Sequence, residues 1–327
     1  MSNNITVEIY EPSKKREWED FVEKSNNGTM FHLQTFLEYH TPGKFDFTSF
    51  MFRKNGKLLA VLPGGLKEQG KVFWSPVGAS YGSFVTEDLP FSECLELVDA
   101  FMNYCVKNSI KEIFLIPPPI VYSKNISQHI EYAMLYRKFD FELHYISHAI
   151  DLKHGKDTFL YYDKTARKTI RKILRDNKIS IKESNDYDTF NQILLKNKSK
   201  FNVKPTHSLE DMIKLAELLP DKVRLNMVYY EDTPIAGSWL FFCNSKVVLC
   251  FYNMLLYEYE HLKPVYLIMH HTVEKAIEEG YQWVDIGVSQ DTAASDPMTP
   301  SISLIDFKER FFARGILRST YHYKFSD

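Results

Sequence analysis

The 327-residue sequence predicts an α/β (α+β) protein of two successive units, each a mixed sheet flanked by helices. Three observations carry this. Helical and strand-like apolar patterns alternate along the chain instead of segregating. The order hairpin, helix, strand, helix, strand occurs twice. The length exceeds that of one small domain, and 44% apolar and 15% aromatic residues can fill two cores.

The first half begins with a strand at 5–9 and an amphipathic helix through Trp18 and Phe21; "HLQTFLEYH" reads as a second, short helix. "FTSFMFRKNGKLLAVLP" is a strand pair, because Asn-Gly supplies the two left-handed positions of a tight hairpin. "KVFWSP" and "YGSFV" are short strands bounded by Gly and Pro. Residues 91–108 set Leu95, Val98, Phe101, Met102 and Cys105 at helical spacing. "KEIFLI" is a buried strand ended by Pro117–Pro119, residues 127–138 form a helix, and "FELHYISHAIDL" is a strand.

The second half repeats the order. A basic helix at 164–177 and the strand "KISIKE" lead to a three-strand meander, "KVRLNMVYYEDTPIAGSWLFFCNSKVVLCFYNM". The next helix has Pro264 in its first turn and Gly280 as its C-cap, and "YQWVDIGV" is a buried strand. "SISLIDFKERFFARG" reads as a helix with Leu304, Phe307 and Phe311 on one stripe, stopped by Gly315, and "ILRSTYHYKF" is the last strand. Leu59-Ala60 matches Ile235-Ala236 at an offset of 176, "IKEIFLI" matches "YQWVDIG" at 171, and Tyr132 and Tyr136 match Phe307 and Phe311 at 175. This register sets units at 1–152 and 153–327. It also puts Ala133 where the second copy has Lys308, so the stripe alone does not require a lysine.

Composition excludes several classes. Forty basic residues against 42 acidic ones give a net charge of −2, so any basic patch is local. Cys94, Cys105, Cys243 and Cys250 form no CxxC pair, and the N-terminus has no signal-peptide h-region. The apolar runs fall short of the roughly 18 residues a membrane span needs. A cytoplasmic protein without a membrane span is expected. No GxSxG, Walker loop, GxGxxG or HExxH occurs, and the adjacent His270 and His271 point to different helix faces, so no metal is expected.

Residues 153–182 carry ten Lys or Arg against three Asp. Arg167, Lys168, Arg171, Lys172 and Arg175 flank an apolar stripe of Ile170, Ile173 and Leu174, giving either a face for phosphates or RNA or a solvated helix face. Asp285 is a carboxylate inside an apolar strand and needs a partner.

In their order, "ARKTIRKILRDNKISIKES", "TPIAGSWLFF", "LKPVYLIMHHTVEKAIEEGYQWVDIG" and "FKERFFARG" resemble the FemAB-type aminoacyl transferases and related GNAT-like acyltransferases; "FHLQTFLEYH" and "SPVGASYGSFV" fit more loosely. The resemblance implies two tandem GNAT-like units and transfer of an acyl or aminoacyl group to an amine, in many members an amine of a peptidoglycan precursor. It links the lysine of the "FK" motif, here Lys308, to the catalytic centre. A fixed ammonium there would stabilise the oxyanion of acyl transfer; the alternative is a lysine whose stem covers the stripe while its ammonium stays in water. Asp285 or Tyr252 would orient or deprotonate the nucleophile, with Asn253, Tyr257, Tyr259 and Trp239 as substrate contacts.

Two departures narrow the donor and acceptor. The turn before the central helix, "YEYEHLKP", has no glycine and carries Glu258 and Glu260, which argues against CoA and toward aminoacyl-tRNA or an unusual acyl donor. No lysine follows Gln34 as far as His40, which argues against a cell-wall nucleotide acceptor. An acyl-CoA-dependent N- or O-acyltransferase of a saccharide or lipid-linked sugar, and a non-catalytic binding module, remain open. No tightly bound cofactor is expected in any of these readings.

Overall fold

The computed structural model describes residues 5–200 and 202–326. The chain divides into two compact units: Met1–Tyr145 with Asp296–Met298 and Leu317–Asp327, and Ile146–Ser295 with Thr299–Ile316. The first crossing lies close to the expected boundary at 152/153. The last strand, assigned by sequence to the second unit, belongs mostly to the first, because its backbone completes a ladder there.

The first unit contains β1 (Thr6–Ile9), α1 (Lys15–Lys24), α2 (Gln34–Leu37), β2 (Phe50–Lys54), β3 (Lys57–Leu62), β4 (Gly65–Lys67), β5 (Val72–Ser75), β6 (Val85–Thr86), α3 (Phe91–Lys107), β7 (Glu112–Leu115) and α4 (His129–Tyr136). Asn55 and Gly56 take φ of 53° and 79°, as a tight β2–β3 hairpin requires. One sheet runs β1-β2-β3-β6. In the other, β5 and β7 are parallel, with α3 in the connection between them. Phe50, Phe52, Phe73, Phe84 and Phe101 form the centre of a core closed by α3 and α4.

β8 (Asp140–Asp151) leads into the second unit, which continues with α5 (Lys164–Asp176), β9 (Ile179–Ser184), α6 (Tyr187–Ser199), α7 (Leu209–Leu218), β10 (Val223–Tyr230), β11 (Thr233–Phe242), β12 (Val247–Leu255), α8 (Pro264–Glu278), β13 (Trp283–Val288) and α9 (Ile302–Glu309). The closing strand is β14 (Arg314–Lys324), whose residues 321–324 pair with β7 in the first unit. The sheet order of the second unit is β8-β13-β12-β11-β10-β9. On one face, Leu240, Phe242, Val248, Cys250, Val284 and Ile286 pack with α5 and α8. The alternating residues Trp239 and Phe241 point to the other face, the one on which α6 brings Phe190 against Gly237.

The repeat is real at the level of elements: β5, α3 and β7 in one unit correspond to β12, α8 and β13 in the other, each with a parallel strand pair. The aromatic stripe is not repeated. Tyr132 and Tyr136 are 60% and 53% exposed, and α4 buries Ile130, Ala133 and Met134 instead. Ala133 and Lys308 are nonetheless both buried. Gly315 does not stop a helix; α9 ends at Glu309, Phe312 makes the left-handed turn with φ of 66°, and Gly315 lies in β14 against Ile146.

Candidate active site

The parallel ladder between β12 and β13 lasts for the pairs Val247↔Trp283, Val248↔Val284 and Leu249↔Asp285, and beyond Asp285 the two strands are no longer paired. Backbone groups past that point need other partners. Lys308, on α9, supplies them: its Nζ donates to Gly287 O at 2.7 Å, Val288 O at 2.8 Å and Ser289 Oγ at 2.9 Å. These are all the N–H groups an ammonium has. Lys308 is only 5% exposed, so the reading of a snorkelling surface lysine is overturned. Burial pushes its pKa down to about 8, opposed by the Asp285 carboxylate and the Cys250 thiol.

The network continues inward. Ser289 Oγ lies 2.9 Å from His148 Nδ1, and both residues are buried. Burial, then the Lys308 charge, lowers the His148 pKa to about 4, so the ring is neutral near pH 7. Ser289 thus accepts from Lys308 and donates to the His148 nitrogen. Asp285 Oδ1 accepts from Ser147 Oγ at 2.9 Å and from the Gly287 N–H at 2.7 Å. A carboxylate fully buried in this way holds the backbone turn that presents two carbonyls to Lys308.

A cleft of about 880 Å³ adjoins this network. Val288 and Phe307, which flank the groups bonded to the lysine, line it, together with Gln290, Leu304 and the opening turn of α8 at Pro264, Val265 and Tyr266. Lys198, Lys263 and Arg310 bring positive charge, against Glu260 and Asp291. Arg310 also donates to the Tyr266 hydroxyl at 3.0 Å. Lys263 caps α8 in the left-handed conformation, with φ of 56°. The turn expected to need glycine is therefore built without one.

The remaining sequence candidates are dispersed. Tyr257 lines the cleft, with Lys200 Nζ 3.5 Å from its ring centre. Tyr259 packs near Tyr230 and away from the cleft lining. Tyr252 accepts from the Thr206 N–H at 3.1 Å and stacks beside Trp239 on the α6 face. Trp239 is fully buried. Asn253 turns its amide toward Met269 Sδ under α8. Alternation puts Tyr252 and Asn253 on opposite faces, and the register shift beside Trp239 and Leu240 turns Tyr252 away from the face of Cys250. On α5, Ala166 and Ile170 are buried, whereas Lys168, Arg171, Lys172 and Arg175 are exposed and Arg167 half-buried. Arg175 pairs with Asp176 and Arg171 lies over the Phe159 ring. Sequence reading missed Ser289, His148 and Ser147. His148 carried the same signal as Asp285, a polar residue within an apolar strand.

All four cysteines are buried thiols outside any disulfide. Among the described residues, no helix is long and apolar enough to cross a membrane and no His, Cys, Asp and Glu group is placed to hold a metal.

Residues 163–296 match the family described as acetyltransferase (GNAT) domain. No curated protein matches the sequence. Among solved structures, FemX shares 13% identity and a TM-score of 0.73, covering 97% of each chain. The C-terminal domain of a putative lysylphosphatidylglycerol synthetase from Agrobacterium fabrum shares 11% identity and a TM-score of 0.61, covering 95% of this chain and 91% of that one. A tandem GNAT protein from the clavulanic acid biosynthesis pathway shares 9% identity and a TM-score of 0.54, covering 99% and 100%. The α8 opening, the parted β12 and β13 and the cleft between them all fall in the matched segment or beside it. The chain thus resembles the acetyltransferase (GNAT) domain over residues 163–296 and has the fold of FemX and of a tandem GNAT protein.

Proposed function

We propose that this acyltransferase moves an acyl or aminoacyl group onto an amine in the second-unit cleft, with the reacting carbonyl seated beside Val288 and Lys308. The buried Lys308 ammonium beside the cleft wall is the observation that carries this reading. Attack of a neutral amine on an ester or thioester carbonyl builds an oxyanion. Lys308 would exchange its bond to Ser289 Oγ for one to that oxyanion, and Ser289 would keep its bond to His148. A desolvated ammonium acts more strongly on developing charge than a hydrated one. As the tetrahedral intermediate collapses, the carbonyl re-forms, the bond to the donor's oxygen or sulfur breaks, and the proton shed by the amine passes to that leaving oxygen or sulfur. Asp285 acts through the Gly287 turn that positions Lys308's carbonyl partners, its Oδ1 being held by Ser147 Oγ and the Gly287 N–H.

The donor is a substrate with phosphates. The α8 opening with Lys198, Lys263 and Arg310 suits a polyanion. Acyl-CoA regains ground, because the left-handed turn at Lys263 replaces the missing glycine. Aminoacyl-tRNA stays in contention through the likeness to FemX and to the domain named for lysylphosphatidylglycerol synthesis, and the exposed cations of α5 are available for its acceptor stem. A cell-wall precursor stays among the acceptors through the FemAB-type resemblance, against the missing lysine after Gln34, and a saccharide or lipid-linked amine is the other. Four buried cysteines, none in a disulfide, support a reducing, cytoplasmic setting.

The test is radiolabel transfer from acetyl-CoA or aminoacyl-tRNA to a UDP-linked cell-wall precursor and to simple amines, run with wild type and Lys308→Met. Transfer by wild type that is abolished in the variant supports the reading. Near-normal turnover by the variant overturns the role of Lys308, and no transfer from either donor overturns the donor assignment.

A further inference from the structure

Three rings of the second unit, His154, Tyr161 and Phe312, form a cluster outside the cleft lining. The His154 and Tyr161 rings stack, with centroids 3.9 Å apart and planes at 17°. Phe312 stands 5.1 Å from Tyr161 and 5.9 Å from His154. The last distance is too short for Phe312 and His154 to lie on opposite faces of Tyr161. His154 therefore covers one face of Tyr161, and among the described residues no ring covers the other. Tyr161 is 49% exposed. A tyrosine backed on one face and open on the other is what a stacked base requires.

This ring is continuous with the cleft and with the basic helix. Tyr161 ends the stretch Gly155–Tyr161, and just beyond it the Asp163 N–H donates to Arg310 O at 2.8 Å. Arg310 lines the cleft, and Phe312 follows it closely in the chain. In the other direction Asp163 is the N-cap of α5, and Arg171 of α5 lies over the Phe159 ring of the same stretch. The Arg314 guanidinium lies 5.0 Å over the Phe312 ring. Arg314, Lys164 and Lys168 are exposed. Against them stand the exposed Asp157 and Asp306, and Asp163, whose carboxylate is engaged by the Ala166 N–H. Cations thus run from Arg310 to α5 past an open aromatic face. That pairing matches a flat base carried on phosphates. A neutral sugar would leave the charge unanswered, and an acidic peptide would leave the ring unused.

We propose that the open face of Tyr161 stacks a nucleobase of the donor, whose phosphates lie between it and Arg310. The shared chemistry is a nucleotide. It is present as the adenine nucleotide of CoA and as the unpaired bases at the aminoacylated end of a tRNA, and stacking tolerates any base. His154 and Phe312 hold the ring before the ligand arrives, so little side-chain freedom is lost on binding. The assignment rests on the phosphate-bearing donor proposed for the cleft and adds where its base is held.

The test is binding without transfer, by isothermal titration of the full chain. The probes are CoA, 4′-phosphopantetheine as its counterpart without a base, an RNA hairpin with an unpaired CCA end, and the same hairpin with abasic residues at that end. Tyr161→Ala is expected to weaken CoA or the CCA hairpin by about tenfold, the worth of one stacked base. Tyr161→Phe is expected to keep the wild-type affinity, and the probes without bases should not distinguish the three proteins. The probe that responds identifies the donor. Tyr161 is half-exposed, so the melting temperature of the variants should stay near that of wild type. Affinity for CoA and the CCA hairpin that is indifferent to Tyr161→Ala, or an equal loss for the probes without bases, would overturn the stacking site and leave the donor assignment standing. Failure of both CoA and the hairpin to bind wild type would overturn the two together.

Discussion

Lys308 Nζ and Ser289 Oγ lie 2.9 Å apart, and the same hydroxyl lies 2.9 Å from His148 Nδ1, so one serine joins a buried cation to a neutral imidazole. Lys308→Met should lower kcat by about 10²–10³, the cost of removing one oxyanion donor. It should also lower the melting temperature, because two carbonyls and a hydroxyl lose their donor, at about 1–3 kcal/mol for a buried group. Single-turnover kinetics and calorimetry on the same samples separate the two effects. Reduced stability with intact kcat would make the lysine purely structural.

The pKa of Lys308 adds a prediction at alkaline pH. It is 10.5 ordinarily and about 8 in the folded chain. Between these values the unfolded chain binds the proton and the folded chain does not, so stability rises with pH across that window. The gain is about 3 kcal/mol once fully released. Urea unfolding of wild type and Lys308→Met at both ends of the window should show this difference, other alkaline titrations being common to both. Transfer should show the opposite slope if the ammonium is the working form: kcat declines as pH rises through about 8.

His148 governs part of the acid limb. Its pKa falls from 6.5 to about 4 on folding, so its contribution is complete above pH 6.5 and disappears as pH drops toward 4. His32, buried in the first unit against Thr29 and the Gly82 carbonyl, behaves in the same sense. His148→Asn keeps an acceptor for Ser289 and cannot charge. Its stability should fall less between pH 6.5 and 4 than that of wild type, by about 3 kcal/mol. An unchanged acid limb would mean that His148 titrates normally.

Lys263 separates conformation from charge at the α8 opening. Lys263→Gly suits the left-handed backbone and should leave stability equal or higher by a few tenths to about 1 kcal/mol. It should raise KM for a phosphate-bearing donor and flatten the salt dependence of that KM. An unchanged KM would move the donor away from this end of the cleft.

If the donor is a tRNA, neutralising Lys168, Arg171 and Lys172 together should weaken RNA binding and reduce the salt slope by roughly one for each phosphate these cations reach. Their exposure predicts little change in melting temperature. Equal salt slopes in filter binding would leave α5 as a solvated face.

Much of the fold was legible because it rests on local signals. Asn55-Gly56 wrote a hairpin, Pro264 and Gly280 bracketed α8, and apolar spacing wrote α3. What failed depends on long-range pairing. Gly315 looked like a helix stop because nothing local says that β14 begins beside it. The stripe of Tyr132 and Tyr136 looked internal because spacing does not say which face meets a core. The surroundings of Lys308 were not legible, because the parting of β12 from β13 and the carbonyls it leaves are properties of the assembled sheet. The facing of Tyr252 was not legible for a related reason: the extra residue Phe251 in β12 puts Cys250 and Tyr252 on opposite sides of the strand.

The path of β14 has a practical consequence. Residues 317–327 belong with the first unit although the whole second unit precedes them in the sequence. A gene cut at residue 152 would give an amino-terminal fragment with the edge of β7 unpaired and a carboxy-terminal fragment trailing a strand without its ladder. Both would be prone to aggregation through that open edge. Supplying residues 317–327 after a linker at the end of the amino-terminal fragment is the route to a soluble half-molecule.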